Sequence, residues 1–373
     1  MAVYFDNNAT TPLDPRVLEA MMPYLTGPYA NASSLHRQGR AARDAVERAR
    51  DQLAQAVGCQ PGEIVWTSGG TESNNLAIKG STAGLKPTRV LYGATEHPAV
   101  MEAAESLSAT GWVVEPVAVD AGGIVDWSAF ERKLARGPVR LASLMRVNNE
   151  TGVLQDVARA AEMVRARGAV FHVDAVQALG KIALNFADTG ADLMSLSSHK
   201  LYGPKGAGAL VRRREVDLGT LHHGGPQERG MRGGTENVAA IVGFGAAAEL
   251  AAEKLAERAA QAAELRERLE RGLHQLPGVR IFGAGMERLP NTVQFCVPGY
   301  EGEALLMQLD RKGFAVSSGS ACASGKGQPS HVLLAMGVPR DVAFGAIRVS
   351  LGQSNTADEI DRFLVALSAL TTR

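Results

Sequence analysis

From about residue 13 to residue 245, short apolar runs rich in Val, Ile and Leu alternate with longer stretches of helical pattern. Few folds accept that alternation. It reads as βαβ units, whose strands line up in a parallel or mostly parallel sheet flanked by helices. The strand candidates are Ile64 to Thr67, Arg89 to Tyr92, Val113 to Val119, Val139 to Val147, Ala169 to Asp174, Asp192 to Leu196 and Ala207 to Arg212. Helical stretches such as Val157 to Ala166 lie between some of them, and Gly39 to Val57 precedes the first. The expected class is α/β, with a mostly parallel seven-stranded sheet.

At 373 residues the chain is long for one core and suggests two domains. From Phe244 to Leu276 it reads as one long Ala/Glu/Arg-rich helix, stopped by Pro277-Gly278. Leu265, Leu269, Leu273 and Leu276 fall on one face of it. A helix that long can leave one domain and enter another, which puts the boundary near residue 254. The expected division is 13–253 as a large cofactor-binding domain and 254–373 as a smaller α+β domain. The smaller one holds strands at Thr292 to Val297 and Ala346 to Ser350. Residues 1–12 can pack with either domain and are grouped with the second.

Lys plus Arg equals Asp plus Glu at 39 each, so no global field favours nucleic acid or an anionic membrane. The basic run Arg212, Arg213, Arg214 is followed at once by Glu215 and reads as a solvated strand end. Three cysteines in such a chain make no disulfide framework. Cys59 and Cys296 have apolar neighbours and read as core or near-core thiols. MAVYFDNNATT lacks the pattern of a signal or transit peptide, and no apolar run reaches membrane-spanning length. The expected setting is cytoplasmic, with neither a nucleic acid nor a membrane as partner and no metal.

Four segments carry chemistry. In SLSSHKLYGPKG, Ser197, Ser198, His199 and Lys200 follow a strand at its C-terminal edge, where open α/β sheets bind ligands. A partly desolvated Lys200 there is placed to form a Schiff base with an aldehyde cofactor. A plain surface lysine is the alternative, and Lys205 fits that description well. Asp174 ends the preceding strand, 26 residues earlier, and can pair with a pyridinium nitrogen; otherwise it caps a helix. Gln177 can donate to the ring oxygen of the same cofactor. In TSGGTESNN, Gly69, Gly70 and Thr71 lie between a strand and a helix and form a natural anion site, although Gly-Gly turns are common without phosphate. His97 in ATEHPAV can stack on a ring and move protons, or simply cap a helix.

The stretch SSGSACASG, 317 to 325, sets Cys322 among Gly and Ser with nothing apolar larger than Ala. Small polar surroundings suit an accessible thiol that can travel. A surface loop that happens to hold a cysteine fits the same composition.

Taken together, YFDNNATTPLDPRVLEAM, TSGGTESNNLAIKG, ATEHPAV, VNNETGVLQDV, HVDAVQ, SSHKLYGPKGAGAL, GGPQERGMRGGTENVAAIVG, SSGSACASGKGQPSHVLLAMG and IRVSLG closely resemble the cysteine desulfurases. These belong to the pyridoxal-phosphate enzymes of aminotransferase class V. The segments run in family order over nearly the whole chain, and the Cys loop with PSHVL resembles the long-loop, nitrogen-fixation and iron–sulfur-cluster branch. The resemblance implies the type I fold of pyridoxal-phosphate enzymes. It implies that Lys200 holds pyridoxal 5'-phosphate and later moves the substrate Cα proton. Asp174 would pair with the pyridinium, Gln177 with the ring oxygen, and His97 would stack on the ring. Gly70, Thr71, Ser197 and His199 would bind the phosphate, and Thr235 would reach the phosphate of the other subunit of a homodimer. Asn149 and Arg348 would hold the substrate carboxylate. The implied reaction turns L-cysteine into L-alanine, with Cys322 taking the sulfur as a persulfide and passing it to an acceptor protein such as an iron–sulfur scaffold.

Departures from the family pattern are Ala32 for a usual Pro, Pro226 for a usual Gly, and Arg146 before Val147-Asn148-Asn149. The chain also ends soon after its last helix, without the C-terminal extension by which that branch docks its scaffold. A selenocysteine lyase or C–S lyase on the same scaffold is the second reading. A non-catalytic binding protein is the third, and intact Lys200, Asp174, His97 and Cys322 argue against it.

Overall fold

The computed structural model describes residues 2–27, 29–318 and 328–371. Cys322, with Gly319, Gly325 and Gly327 around it, lies outside the described residues. Strand β1 (Val3–Tyr4) opens the chain. The large sheet then takes β2 (Ile64–Thr67), β3 (Arg89–Gly93), β4 (Val113–Val117), β5 (Val139–Met145), β6 (Val170–Asp174), β7 (Leu193–Ser197) and β8 (Gly208–Arg212). Their order across it is β2-β8-β7-β6-β5-β3-β4. Only β8 runs antiparallel to its neighbours, β2 and β7; the other pairs are parallel. All seven expected strands are therefore present, with ends that differ by at most two residues.

Except for the edge strand β4, the strands read as largely apolar runs because both sheet faces are covered. Ile64 and Trp66 point into one core with helices Arg37–Val57 and Val238–Glu253, while Val65 points into a second with Leu76, Ile78 and Val100. At the end of β2, β8 passes so close to the Ser68–Thr71 loop that a Cβ on Gly208 would lie 2.5 Å from the Gly69 backbone. Only glycine permits that approach.

A separate core unites Val3, Phe5, Leu265, Leu269, Leu273 and Phe363. Around it lie β9 (Arg280–Ile281), β10 (Thr292–Cys296), β11 (Phe314–Ala315) and β12 (Ala346–Ser350). β10 pairs antiparallel with both β9 and β12, and β1 pairs with β11. Phe5, Phe314 and Phe363 form a ring cluster with centroids 5.6 to 6.3 Å apart.

The single helix expected over 244–276 is two helices. One spans Val238–Glu253 and the next Leu255–Leu273, with Lys254 at φ −99° and ψ 7° between them. The sequence there has no Gly or Pro to break it. Packing sets the bend: the first helix is buried along most of its length against helices Pro15–Thr26 and Arg37–Val57, whereas the second turns only Leu265, Leu269 and Leu273 inward. Leu276 lies beyond the helix end. No helix among the described residues is long and apolar enough to cross a membrane.

One buried ion pair ties the 223–237 segment to the sheet. Glu228 accepts from Arg50 Nη2 at 2.8 Å and Nη1 at 3.1 Å, and from the Trp66 backbone N–H at 2.8 Å. Glu228 and its neighbour Arg229 have φ of 46° and 57°, a conformation few non-glycine residues adopt. Arg50→Met would leave the Glu228 charge buried and alone, which costs about 3–5 kcal/mol. Urea unfolding of the two proteins measures that loss, and an unchanged midpoint would show that the pair contributes nothing.

Candidate active site

Strands β2, β3, β5, β6 and β7 share a direction, so the segments leaving their C-terminal ends share one edge of the sheet. Every cofactor candidate from the large sheet leaves along this edge. Asp174 is the last residue of β6 and pairs in register with Ser195 of β7, two residues before Ser197. Lys200 ends the short helical turn Ser198–Lys200 that follows β7. His97 follows β3 and caps helix Pro98–Glu105, its Nδ1 accepting from the Ala99 N–H at 3.1 Å. The capping role open to His97 is thus filled, and it does not remove the ring from the site. Burial holds its pKa down, Asp174 opposes this, and Lys200 and His331 reinforce it.

Asp174 is 5% exposed and caps no helix. Its Oδ2 accepts from Asn74 Nδ2 at 2.7 Å and its Oδ1 from the Val176 N–H at 3.0 Å. Two donors hold the carboxylate in one orientation at a strand end, the arrangement a pyridinium partner needs. Beside it, burial and then the Asp174 charge push the Glu96 carboxyl well above the usual range.

Lys200 Nζ donates to the carbonyl oxygens of Asn8 at 2.6 Å and Ala9 at 2.8 Å. Gln177 Nε2 donates to the same Asn8 oxygen at 2.9 Å. His199 Nδ1 lies 3.2 Å from Thr10 Oγ1, and its pKa is held down to about 4 by burial and then by Lys200, Lys205 and Lys181. At neutral pH the ring is therefore uncharged.

A cavity of about 430 Å³ opens beside these groups, lined by Thr10, Ser68, Gly70, Thr71, His199 and Lys205 among others. It is large enough for a small ligand. Ser197 Cβ is 3.6 Å from where a Cβ on Gly70 would sit, so Ser197 adjoins the loop. Ser197 Oγ and Ser198 Oγ are buried with no hydrogen-bond partner among the described residues. A buried hydroxyl without a partner costs about 1–3 kcal/mol, which phosphate oxygens offset by accepting from it. The residues present fit pyridoxal phosphate: donors for a phosphate, a fixed carboxylate for a pyridinium, and a lysine amine on the same edge.

Thr235 is exposed and lines an adjoining hollow with Ser68, Gly206 and Arg232. Arg348 is 2% exposed on β12, its Nη2 donating to Asp6 Oδ1 at 2.5 Å and its Nη1 to the Asn149 carbonyl at 3.0 Å. Its Nε is buried with no partner among the described residues. The structure thus brings Arg348 and Asn149 together through the Asn149 backbone. Arg146 donates to the Gln155 carbonyl.

Sequence reasoning missed four residues. Asn74 holds Asp174; Lys205, exposed as a surface lysine would be, also lines the cavity; the Asn8 carbonyl accepts from Gln177 and Lys200; and Lys181 donates to Gln177. The quoted segments TSGGTESNN, SSHKLYGPKG and YFDNNATT contain three of them, and Lys181 lies four residues after Gln177.

The Aminotransferase class-V family matches residues 3–363. The chain is 46% identical to a cysteine desulfurase of Bradyrhizobium diazoefficiens, covering all of this chain and 95% of that one. It is 45% identical to the cysteine desulfurase IscS of Salmonella arizonae, over 97% of this chain and 90% of the relative. Among solved structures it is similar to a NifS-like protein with a TM-score of 0.93, at 39% identity and covering 99% of both chains.

Proposed function

The chain belongs to the cysteine desulfurases of the aminotransferase class-V family, and from that premise we propose how its own residues carry out the conversion of L-cysteine to L-alanine. One observation supports the assignment of roles best: Lys200, Asp174, His97 and the Ser68–Thr71 loop leave one sheet edge, and the loop lines a cavity there with His199 and Lys205. Pyridoxal 5'-phosphate, when bound, supplies an electron sink for the substrate Cα. Lys200 would hold it, Asp174 would face its pyridinium nitrogen, Gln177 its ring oxygen, and His97 its ring face. Gly70, Thr71, Ser197 and His199 would bind the phosphate, with neutral His199 acting as a hydrogen-bond partner rather than a charge.

Arg348 would grip the substrate carboxylate, and Asn149 would flank it. To do so Arg348 turns one nitrogen from Asp6, exchanging one carboxylate for another. Lys200 then takes the Cα proton. Cys322, as thiolate, attacks the substrate sulfur; the S–S bond forms as Cβ–S breaks, and the electron pair stays with carbon. Protonation of that carbon skeleton gives alanine, and Cys322 keeps the sulfur as a persulfide. An acceptor protein such as an iron–sulfur scaffold would then receive it in the cytoplasm.

Two further points of organisation belong to this reading. The large domain is 13–253 and the smaller one 254–373 with 1–12, a division supported by Val3 and Phe5 packing in the same core as Leu265 and Phe363. A homodimer would let Thr235 reach the partner's phosphate. Its exposure supports this, as do the large apolar side chains of Tyr29 and Leu35, 97% and 82% exposed.

The test is alanine formation from L-cysteine by protein loaded with pyridoxal phosphate, in the presence of a thiol reductant. Stoichiometric alanine and sulfide are expected. Alanine from selenocysteine alone would overturn the assignment in favour of a selenocysteine lyase.

A further inference from the structure

Lys181 stands in the turn that follows β6, where a lysine ordinarily points into water. Here its Nζ donates to Asn8 Oδ1 at 2.9 Å and to Gln177 Oε1. Gln177 Nε2 donates in turn to the Asn8 carbonyl at 2.9 Å, the oxygen that also accepts from Lys200 at 2.6 Å. Asn8 is a rigid hub, 1% exposed. Its N–H donates to Ser350 Oγ and its Nδ2 to Thr292 Oγ1, both at 2.9 Å.

This network settles which way the Gln177 amide faces. A carboxamide can turn over and exchange its oxygen for its NH2, but an ammonium or amine on Lys181 placed against one side attracts the oxygen. The oxygen is thereby pinned toward Lys181 and the NH2 toward Lys200. The charged and titratable groups near Lys181 are His199, Lys200 and Tyr202 after β7, Arg348 on β12 with its partner Asp6, and Arg258 of helix Leu255–Leu273. Burial first, then the charges of Lys200 and Arg348, push its pKa well below the usual lysine range.

We propose that Lys181 is a positioning residue of the active site: it bridges Asn8 and Gln177 and fixes the Gln177 NH2 toward the cofactor's ring oxygen. The inference rests on the reading of Lys200 and Gln177 as cofactor residues. A donor on that oxygen stabilises its negative charge and withdraws it from a proton on the neighbouring Lys200 nitrogen. Lys181 therefore lowers the proton affinity of that nitrogen in the loaded enzyme, acting through Gln177.

A pH titration of the bound cofactor's absorption spectrum reads this directly, without turnover. In Lys181→Met the midpoint is expected to rise by about one unit, and pyridoxal phosphate affinity of the apoprotein to fall about tenfold. In a Gln177→Ala background the same substitution should move the midpoint far less, since two residues acting as a unit are not additive. A folded Lys181→Met that titrates like wild type overturns the proposal. Equal shifts in both backgrounds also overturn it, because the lysine would then act by charge alone. Should Lys181→Met not fold, Lys181→Gln keeps a donor toward Asn8 without reaching Gln177 and carries the same titration. Wild-type protein that binds no pyridoxal phosphate is a different result, one that removes the reading of Lys200 itself.

Discussion

Lys200→Ala is expected to lower alanine formation from L-cysteine by about 10⁴-fold or more, because it removes both the covalent hold on the cofactor and the proton carrier. The bound cofactor should also lose the absorption of its lysine adduct, which separates a chemical loss from an unfolded protein. The fold has little reason to fail. Lys200 donates to two carbonyls, of Asn8 and Ala9, and the Asn8 oxygen still accepts from Gln177 Nε2 after the substitution. Among these contacts the Ala9 carbonyl loses its donor, a loss of about 1 kcal/mol. Residual activity within tenfold of wild type, with the cofactor still bound, would place the proton carrier elsewhere. His97 is the first alternative, since it faces both Asp174 and Lys200.

What was legible in the chain follows from what each signal depends on. Six of the seven strands are legible because they are largely buried on both faces, which favours apolar runs whatever the rest of the molecule does; the edge strand β4 is mostly open to solvent and shows only as Val-rich sequence. The site edge is legible for a related reason: parallel strands must all end at the same side, so polar residues that follow them converge. The break at Lys254 is not legible. Local propensity favours helix on both sides of it, and only the separation of two cores bends the chain there.

The supporting residues were hidden by distance along the chain. Asn74 is 100 residues from the carboxylate it holds, and Asn8 is 192 from Lys200. No pattern within a segment marks such a pair. Lys181 is hidden differently, since a lysine one helical turn from a glutamine is the most ordinary of surface spacings. Only its contacts with Asn8 and Gln177 single it out. Arg348 shows the opposite case: the residue is legible, but its present partner Asp6 is not.

The chain has three cysteines, and burial in the described structure counts against two of them as sulfur acceptors. Burial pushes the Cys59 thiol up to about 12, with Glu63 adding to it, and burial raises Cys296 as well. A sulfur acceptor attacks as thiolate, and burial disfavours that form at both residues. Cys322 is the acceptor proposed above. Cys322→Ala is therefore expected to cut alanine formation from L-cysteine by about 10³-fold, in the range found when a group of the chemical machinery is removed. Cofactor binding should be untouched, because the residues proposed to hold the phosphate and the ring lie elsewhere in the chain. Cys59→Ala should keep wild-type turnover. Mass spectrometry of wild-type protein after substrate, without reductant, should find the added sulfur on the Cys322 peptide alone. Equal alanine from Cys322→Ala and wild type would mean that the Cβ–S bond breaks without an attacking thiolate. The enzyme would then be a C–S lyase releasing sulfide directly.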